Sequence, residues 1–253
     1  MEIKFFLLVL VFAFALQYMD ATIGMGYGNI TPLLILIGFD PINVIIAVLG
    51  ASVVLSITTG VLHHYYKNVD FSFDSPEFRI TGILIIAGII GVLLGVIIAV
   101  NISEKFLKSY IAILVIVIGA LIIFKRQKKS KFSWKKLVGL GSLASFNQGI
   151  SGGGFGPVLA GGQILSGVDA RKAVGITALT EGIISFFAIS FYIALNGIGS
   201  INWLLILALI IGGLSSTPCA IYTVKKFHPK KLKFYIGLGS VILGVVLLLE
   251  VIF

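Results

Sequence analysis

The sequence predicts an all-α polytopic membrane protein of two inverted repeats. Each repeat is a broken or re-entrant helical hairpin followed by three transmembrane helices. Three observations carry this. Mean hydropathy is +1.11 and only 11% of residues are charged, which no soluble domain of 253 residues sustains. The apolar runs, such as 83–100 and 111–124, are continuous and lack the period-2 alternation of a β-barrel. A glycine cluster occurs twice at an offset of 128 residues, as Gly24-Met25-Gly26-Tyr27-Gly28 and Gly152-Gly153-Gly154-Phe155-Gly156. Glycine at this density breaks a helix. Broken helices survive in lipid only where the freed backbone groups face protein or a water-filled cavity.

Taken in order, residues 5–38 are too long for one span of ~20 residues and hold the first cluster near their centre. They predict one broken, tilted span or a re-entrant hairpin. Full spans follow at 42–64, 80–100 and 106–124, then a basic stretch at 125–136. Residues 137–166 repeat the pattern of 5–38, and spans at 172–195, 202–224 and 233–252 complete the chain. The first apolar run, Phe5–Met19, has no small-x-small cleavage site, so it reads as structure rather than a signal peptide.

Charge decides the topology. Seven Lys and Arg crowd 125–136 and five Lys crowd 225–233, so both stretches read as cytoplasmic. The uncharged loop at 196–200 reads as outside, as do Asp40 and the loop at 101–105. Both basic stretches face the cytoplasm only if 137–166 enters and leaves on one side, which favours the hairpin. Three crossings per repeat is an odd number, so the second repeat is inverted. Matches at an offset of 125 extend the repeat: Gly50 with Gly175, Ser52 with Thr177, Leu107-Lys108 with Leu232-Lys233, and Tyr110 with Tyr235. The chain divides into repeat 1 (1–124), a cytoplasmic basic linker (125–136) and repeat 2 (137–253), within one transmembrane domain spanning 1–253.

At these residues the chain resembles the TauE/SafE-type permeases, the family of sulfite exporters and organosulfonate permeases. The resemblance rests on the glycine-rich motif followed by proline in each half, here Gly24 to Pro32 and Gly152 to Pro157. A Gly-small-hydroxyl pattern follows, as Gly50-Ala51-Ser52 and Gly175-Ile176-Thr177. Met25 and Asn29 make the first cluster less glycine-rich than the second. The resemblance implies an ion-coupled permease for small sulfur oxyanions or organosulfonates, in the cell membrane.

No Lys or Arg falls inside a predicted span core, so an anion site must use backbone N–H groups at half-helix N-termini. Gly24, Gly26, Gly28, Gly152, Gly153, Gly154 and Gly156 let an oxyanion approach bare backbone there. Pro32 and Pro157 suit the first turn of the second half-helix. Asn29, Thr31, Asn147, Gln148 and Ser151 supply side-chain donors, with Ser52 and Thr177 adding hydroxyls from the next spans. The competing reading is that the small residues only let helices pack closely. Glu181, mid-span, and Asp20, beside the first cluster, are intramembrane acids, which face a cavity or partner and carry protons. They are the candidates for proton coupling.

Other features bound the function. The net charge of +9 sits in loops, where it orients spans rather than binding nucleic acid. Adjacent His63 and His64 do not share a helix face, so they make no metal site and read as interfacial anchors. Trp134 and Trp203 read as belt residues, and Asp169 as a helix cap. Cys219 is the sole cysteine and forms no intrachain disulfide. There is no HExxH, no Ser–His–Asp set, no cofactor lysine and no nucleotide-binding loop, so neither an enzyme nor a cofactor is expected. The reading is a multi-pass secondary transporter whose partners are a small anion and the lipid bilayer, compatible with a homo-oligomer. An anion or small-solute channel and a non-transport membrane assembly protein stand as alternatives.

Overall fold

A computed structural model describes residues 3–124, 132–223 and 229–252. Much of the basic linker and of the 225–233 cluster therefore lies outside the described residues. The order is α1 (Ile3–Ile23), a 3-10 turn (Tyr27–Asn29), α2 (Ile30–Leu36), α3 (Pro41–Tyr65), α4 (Pro76–Asn101) and α5 (Glu104–Phe124). Then come α6 (Trp134–Ser151), α7 (Phe155–Leu165), α8 (Ala170–Asn196), a second 3-10 turn (Ile198–Ser200), α9 (Trp203–Thr223) and α10 (Pro229–Ile252). No strand occurs among the described residues. Five helices, namely α1, α3, α4, α8 and α9, are long and apolar enough to cross a membrane on the described residues.

Helix starts follow the capping residues. Asp40 accepts the Asn43 N–H and precedes Pro41 at the first helical position of α3. Ser75 and Pro76 open α4 the same way, and Asp169 accepts the Arg171 and Lys172 N–H groups to open α8. Between α3 and α4, Ser72 donates its hydroxyl and backbone N–H to Asp70, holding that exposed carboxyl below its ordinary range.

Both glycine clusters break the helix that enters them. Gly24 and Gly152 adopt left-handed backbone, at φ +69° and +64°, which costs a side-chain-bearing residue dearly. Each broken segment is a hairpin. The Ser133 N–H donates to the Ser166 carbonyl at 3.0 Å, tying the start of α6 to the end of α7. The Phe5 and Phe39 rings meet edge-on at 6.5 Å, closing the first hairpin. The arms are unequal, 21 and 7 residues for α1 and α2, and 18 and 11 for α6 and α7. The first arm of the first hairpin is thus longer than a half-helix.

Each hairpin lies against the other half of the chain. Gly212 of α9 lets α1 approach so closely that a Cβ there would stand 2.5 Å from the Leu10 carbonyl oxygen. Gly91 of α4 does the same for α6, at 2.5 Å from the Ser142 carbonyl oxygen. These are small-residue contacts of the kind that hold helices together in lipid. α3 and α8 cross antiparallel, with Gly50 against Ile189, Ile57 against Gly182 and Gly60 against Leu179. α5 and α10 also run antiparallel, with Gly244 on Ala112 and Ile116 and Lys108 paired to Glu250 at 3.2 Å. At the starts of α8 and α4, Lys172 pairs with the buried Glu77 at 2.5 Å.

The helix caps of α3 and α8 follow an offset of 129 residues rather than 125. Asp40 and Asp169 cap equivalent helices 129 residues apart. The contact of Gly60 with Leu179 is mirrored by that of Ile189 with Gly50 at the same offset of 129. At that offset Ser52 pairs with Glu181, and at the 128-residue offset of the glycine clusters Asp20 pairs with Gln148. Gly50 and Gly175 record local crowding instead, by Ile189 and Ile206 at one and by Val69 and His63 at the other.

The tips of the hairpins cross backbone on backbone. A Cβ on Gly28 would stand 2.7 Å from the Gly154 nitrogen, and one on Gly153 would stand 2.7 Å from the Gly28 carbonyl oxygen. Gly28→Ala and Gly153→Ala are each expected to destabilise the protein by about 1–3 kcal/mol through overpacking. Gly82→Ala, where no heavy atom lies within 4 Å, is expected to leave stability unchanged or slightly raised. Thermal unfolding in detergent compares the three.

Candidate functional site

The site is the crossing and the polar groups around it. α1 ends at Ile23, so its last carbonyls lose their helical partners. The Gly24 N–H closes on the Asp20 carbonyl at 2.7 Å. His63 of α3 then donates Nε2–H to the Ala21 carbonyl at 3.1 Å, while its Nδ1 accepts from the Asn68 amide. A carbonyl only accepts, so this imidazole is the neutral Nε2–H tautomer. The second hairpin ends the same way. Gly152 N–H closes on the Gln148 carbonyl at 2.9 Å, and the Tyr192 hydroxyl of α8 donates to the Gly149 carbonyl at 2.8 Å. Ala21 and Gly149 are 128 residues apart, and His63 and Tyr192 are 129 apart, so the two caps are equivalents with different donors. His63 is fully buried. The interfacial-anchor reading of His63 is therefore wrong, because the ring is drawn inward to satisfy a helix end. His64 does face outward, accepting the Phe71 N–H and lying 3.9 Å from Asp70.

The expected side chains divide. Asn147 accepts from the Tyr110 hydroxyl at 2.5 Å. The Ser151 hydroxyl bonds the backbone of Asn147 and Gly153, fixing the turn. Thr177 accepts from Gln163 Nε2 at 2.8 Å. These three are occupied within the protein. Asn29 lies half-buried on the 3-10 turn. Thr31 Oγ1, Ser52 Oγ, Gln148 Oε1 and Glu181 Oε2 are buried without a protein partner. Gln148 Nε2 donates to Ser185 at 3.0 Å, and Gln17 Nε2 to Thr59 at 3.1 Å. Buried orphan polar atoms are costly and mark places where water or a ligand completes the bonding.

Tyr27 escaped the sequence reading. Its side chain is 1% exposed, its hydroxyl has no protein partner, and its backbone N–H bonds the Asp20 carboxyl. Asp20 and Glu181 lie close enough to act electrostatically on each other and on Tyr27. The signal available was position, an aromatic residue inside each glycine motif, with a hydroxyl only in the first.

With this geometry in hand, comparison with known proteins is decisive for the family. The profile described as "Sulfite exporter TauE/SafE" matches residues 8–247. The chain belongs to the TauE/SafE family. This TauE/SafE protein is also similar to the "Probable membrane transporter protein YtnM" of Bacillus subtilis (strain 168), at 30% identity over 251 residues. The match covers 93% of the present chain and 80% of the relative. No solved structure matches the chain. The TauE/SafE chain is thus a multi-pass membrane protein of a transporter family.

Tyr192→Phe removes the donor to the Gly149 carbonyl and is expected to cost about 1–3 kcal/mol, the range for an orphaned buried acceptor. His63→Leu is expected to cost a similar amount, with partial rescue by His63→Gln, which keeps an N–H. Unfolding in detergent reads all three.

Proposed function

We propose that the protein is a secondary transporter that moves a small anion, of the sulfur-oxyanion or organosulfonate class, by alternating access to a midplane site at the hairpin crossing. The observation that carries the reading is the crossing itself: two broken helices meeting among buried orphan polar atoms. Discontinuous helices at matching places in two halves are where transporters hold substrate. In this reading, residues 1–124 and 137–253 are inverted repeats joined by the cytoplasmic linker 125–136. The antiparallel pairs α3/α8 and α5/α10 support it, since a two-fold axis in the membrane plane sets equivalent helices antiparallel. The glycine backbone at Gly24, Gly26, Gly28, Gly152, Gly153, Gly154 and Gly156 meets the anion. Thr31, Ser52 and Gln148 contribute side chains, and Asn29, Asn147, Ser151 and Thr177 frame the site. Asp20 and Glu181 carry the coupling proton. The plasma membrane is the setting, and export of sulfite or a related oxyanion is the favoured direction.

The test is uptake of sulfite, thiosulfate, sulfoacetate and sulfate into proteoliposomes, with and without an inward proton gradient. The expected outcome is selective accumulation that the gradient drives and that loses its gradient response in Glu181→Gln. Downhill flux indifferent to the gradient would indicate a channel. Absence of flux for all four anions would remove the substrate class.

A further inference from the structure

The connection between α3 and α4, residues 66–75, is a braced strap that turns Asn68 and Val69 inward. Lys67 starts the turn in left-handed backbone at φ +57°, a conformation unfavourable to a residue with a side chain. Asn68 donates its backbone N–H to the His63 carbonyl at 2.9 Å and its side-chain amide to His63 Nδ1 at 3.2 Å. The Phe71 N–H donates to His64 Nδ1 at 3.0 Å, and the Ser75 hydroxyl donates to the Asp70 carbonyl at 2.7 Å. These bonds make the strap one body with the end of α3.

Val69, between the exposed Lys67 and Asp70, is itself only 4% exposed. It seats on Gly175 of α8. A Cβ on Gly175 would stand 2.6 Å from Val69 Cγ1 and 3.3 Å from His63 Cβ, so hydrogen alone fits there. The neighbouring Val174 lies against the α1 break, its Cγ2 3.4 Å from where a Cβ on Gly24 would stand. His63 holds the Ala21 carbonyl of the same break at 3.1 Å. The strap thus joins α3 to α8 directly over the first hairpin tip. A second link, Lys172 to Glu77 at 2.5 Å, fastens the start of α8 to the start of α4. Deeper in the protein, α3 and α8 meet again at Gly60, where a Cβ would stand 2.9 Å from Leu179 Cβ.

We propose that the strap is a gate, with Val69 as its plug, Gly175 as the socket and the Lys172–Glu77 pair as the latch, and that the structure holds it shut. This rests on the transport reading above and adds the element that closes one end of the path. In that reading α4 and α5 are two crossings, which puts the strap on the same face as the linker 125–136. A seal that opens in every cycle must be separable. An apolar side chain seated on a glycine makes no hydrogen bond, so parting them exposes a small apolar area and leaves no polar group unpaired. The latch is equally separable, because the Lys172 side chain is 51% exposed and solvent screens the pair. The polar bonds of the strap all run within the strap or to α3, so it moves without breaking them.

The experiment reads thiol accessibility on the full-length protein in lipid vesicles and needs no substrate. Cys219 is the sole cysteine, so Cys219→Ser gives a thiol-free background. Ser52→Cys, buried on α3 about three turns before His63, places one reporter beneath the strap. A membrane-impermeant maleimide is added to one face at a time. With the strap intact, slow labelling is expected from the linker face. Val69→Ala removes two methyl groups from the seal and is expected to speed labelling from that face about tenfold, with no rise from the other. Glu77→Gln, which opens the latch, is expected to speed it about threefold. Phe73→Ala, on the strap but 84% exposed, is expected to change nothing. Fast labelling with the strap intact overturns the shut state. A Val69→Ala rate that does not rise, or that rises equally from both faces, overturns the gate. In a second readout, Val69→Cys and Gly175→Cys are bridged by oxidation in the Cys219→Ser background, which is expected to stop gradient-driven sulfite uptake until the bridge is reduced. Uptake that continues through the bridge overturns the gate. No uptake in the unbridged protein, with labelling that still follows Val69, counts against the transport reading while the one-sided barrier at Val69 stands.

Discussion

The structure hangs on one steric fact: the two hairpin tips touch through their main chains, with no side chain between them. Gly28 and Gly153 leave room for hydrogen only, and a Cβ on Gly156 would stand 2.5 Å from the Gly24 carbonyl oxygen. Backbone brought this close in a membrane carries unpaired N–H and C=O groups with it, because each helix has just been broken. The rest of the architecture answers that demand. His63 and Tyr192 reach in from neighbouring helices to take one carbonyl each, and Ser151 ties down its own turn. Among the buried oxygens the protein leaves unanswered are those of Tyr27, Thr31, Ser52, Gln148 and Glu181.

Charge is distributed to protect that centre. The described cations with ion-pair partners sit at helix ends, Lys172 with Glu77 and Lys108 with Glu104 and Glu250. Such pairs add little stability where solvent reaches them. Their value here is geometric, because Lys172–Glu77 ties α8 to α4 and Lys108–Glu250 ties α5 to α10. Asp20 and Glu181 are left as the acids within the interior.

Much of the fold was legible in the sequence, and for local reasons. Helices at the six expected places, four of them (α3, α4, α8 and α9) long and apolar enough to cross a membrane, and both helix breaks follow from continuous apolar runs and from glycine, whose effects act within a turn. The Asp169 cap follows from its position before Ala170 and Arg171. Charge placement alone made 137–166 a hairpin, and the bond from Ser133 to Ser166 closes it. The misses were all long-range. His63 finds its partner 42 residues away, and nothing near it in the chain announces a helix end to cap. A glycine is set by the bulk of whatever helix lies opposite, and Ile189 and Val69 crowd positions that are not equivalent. Among the candidate site residues, Asn147, Ser151 and Thr177 had the right chemistry and location, and only their contacts reveal that other residues already occupy them.

The interleaving of the halves bears on how such a chain is made. α1 leaves the ribosome long before α9, the surface it packs on, and Leu10 and Gly212 are separated by 202 residues. Its cap, His63, emerges sooner, but the backbone that crosses its tip, Gly153 and Gly154, arrives only after the linker. During synthesis the tip of the first hairpin therefore waits for its backbone partner until α6 and α7 arrive. The second hairpin finds α4 already in place when α6 is threaded, although its own cap, Tyr192, follows 43 residues after Gly149. Biogenesis of the two halves is thus unequal even where their final shapes agree, and early arrest or misinsertion is a hazard that falls on the first.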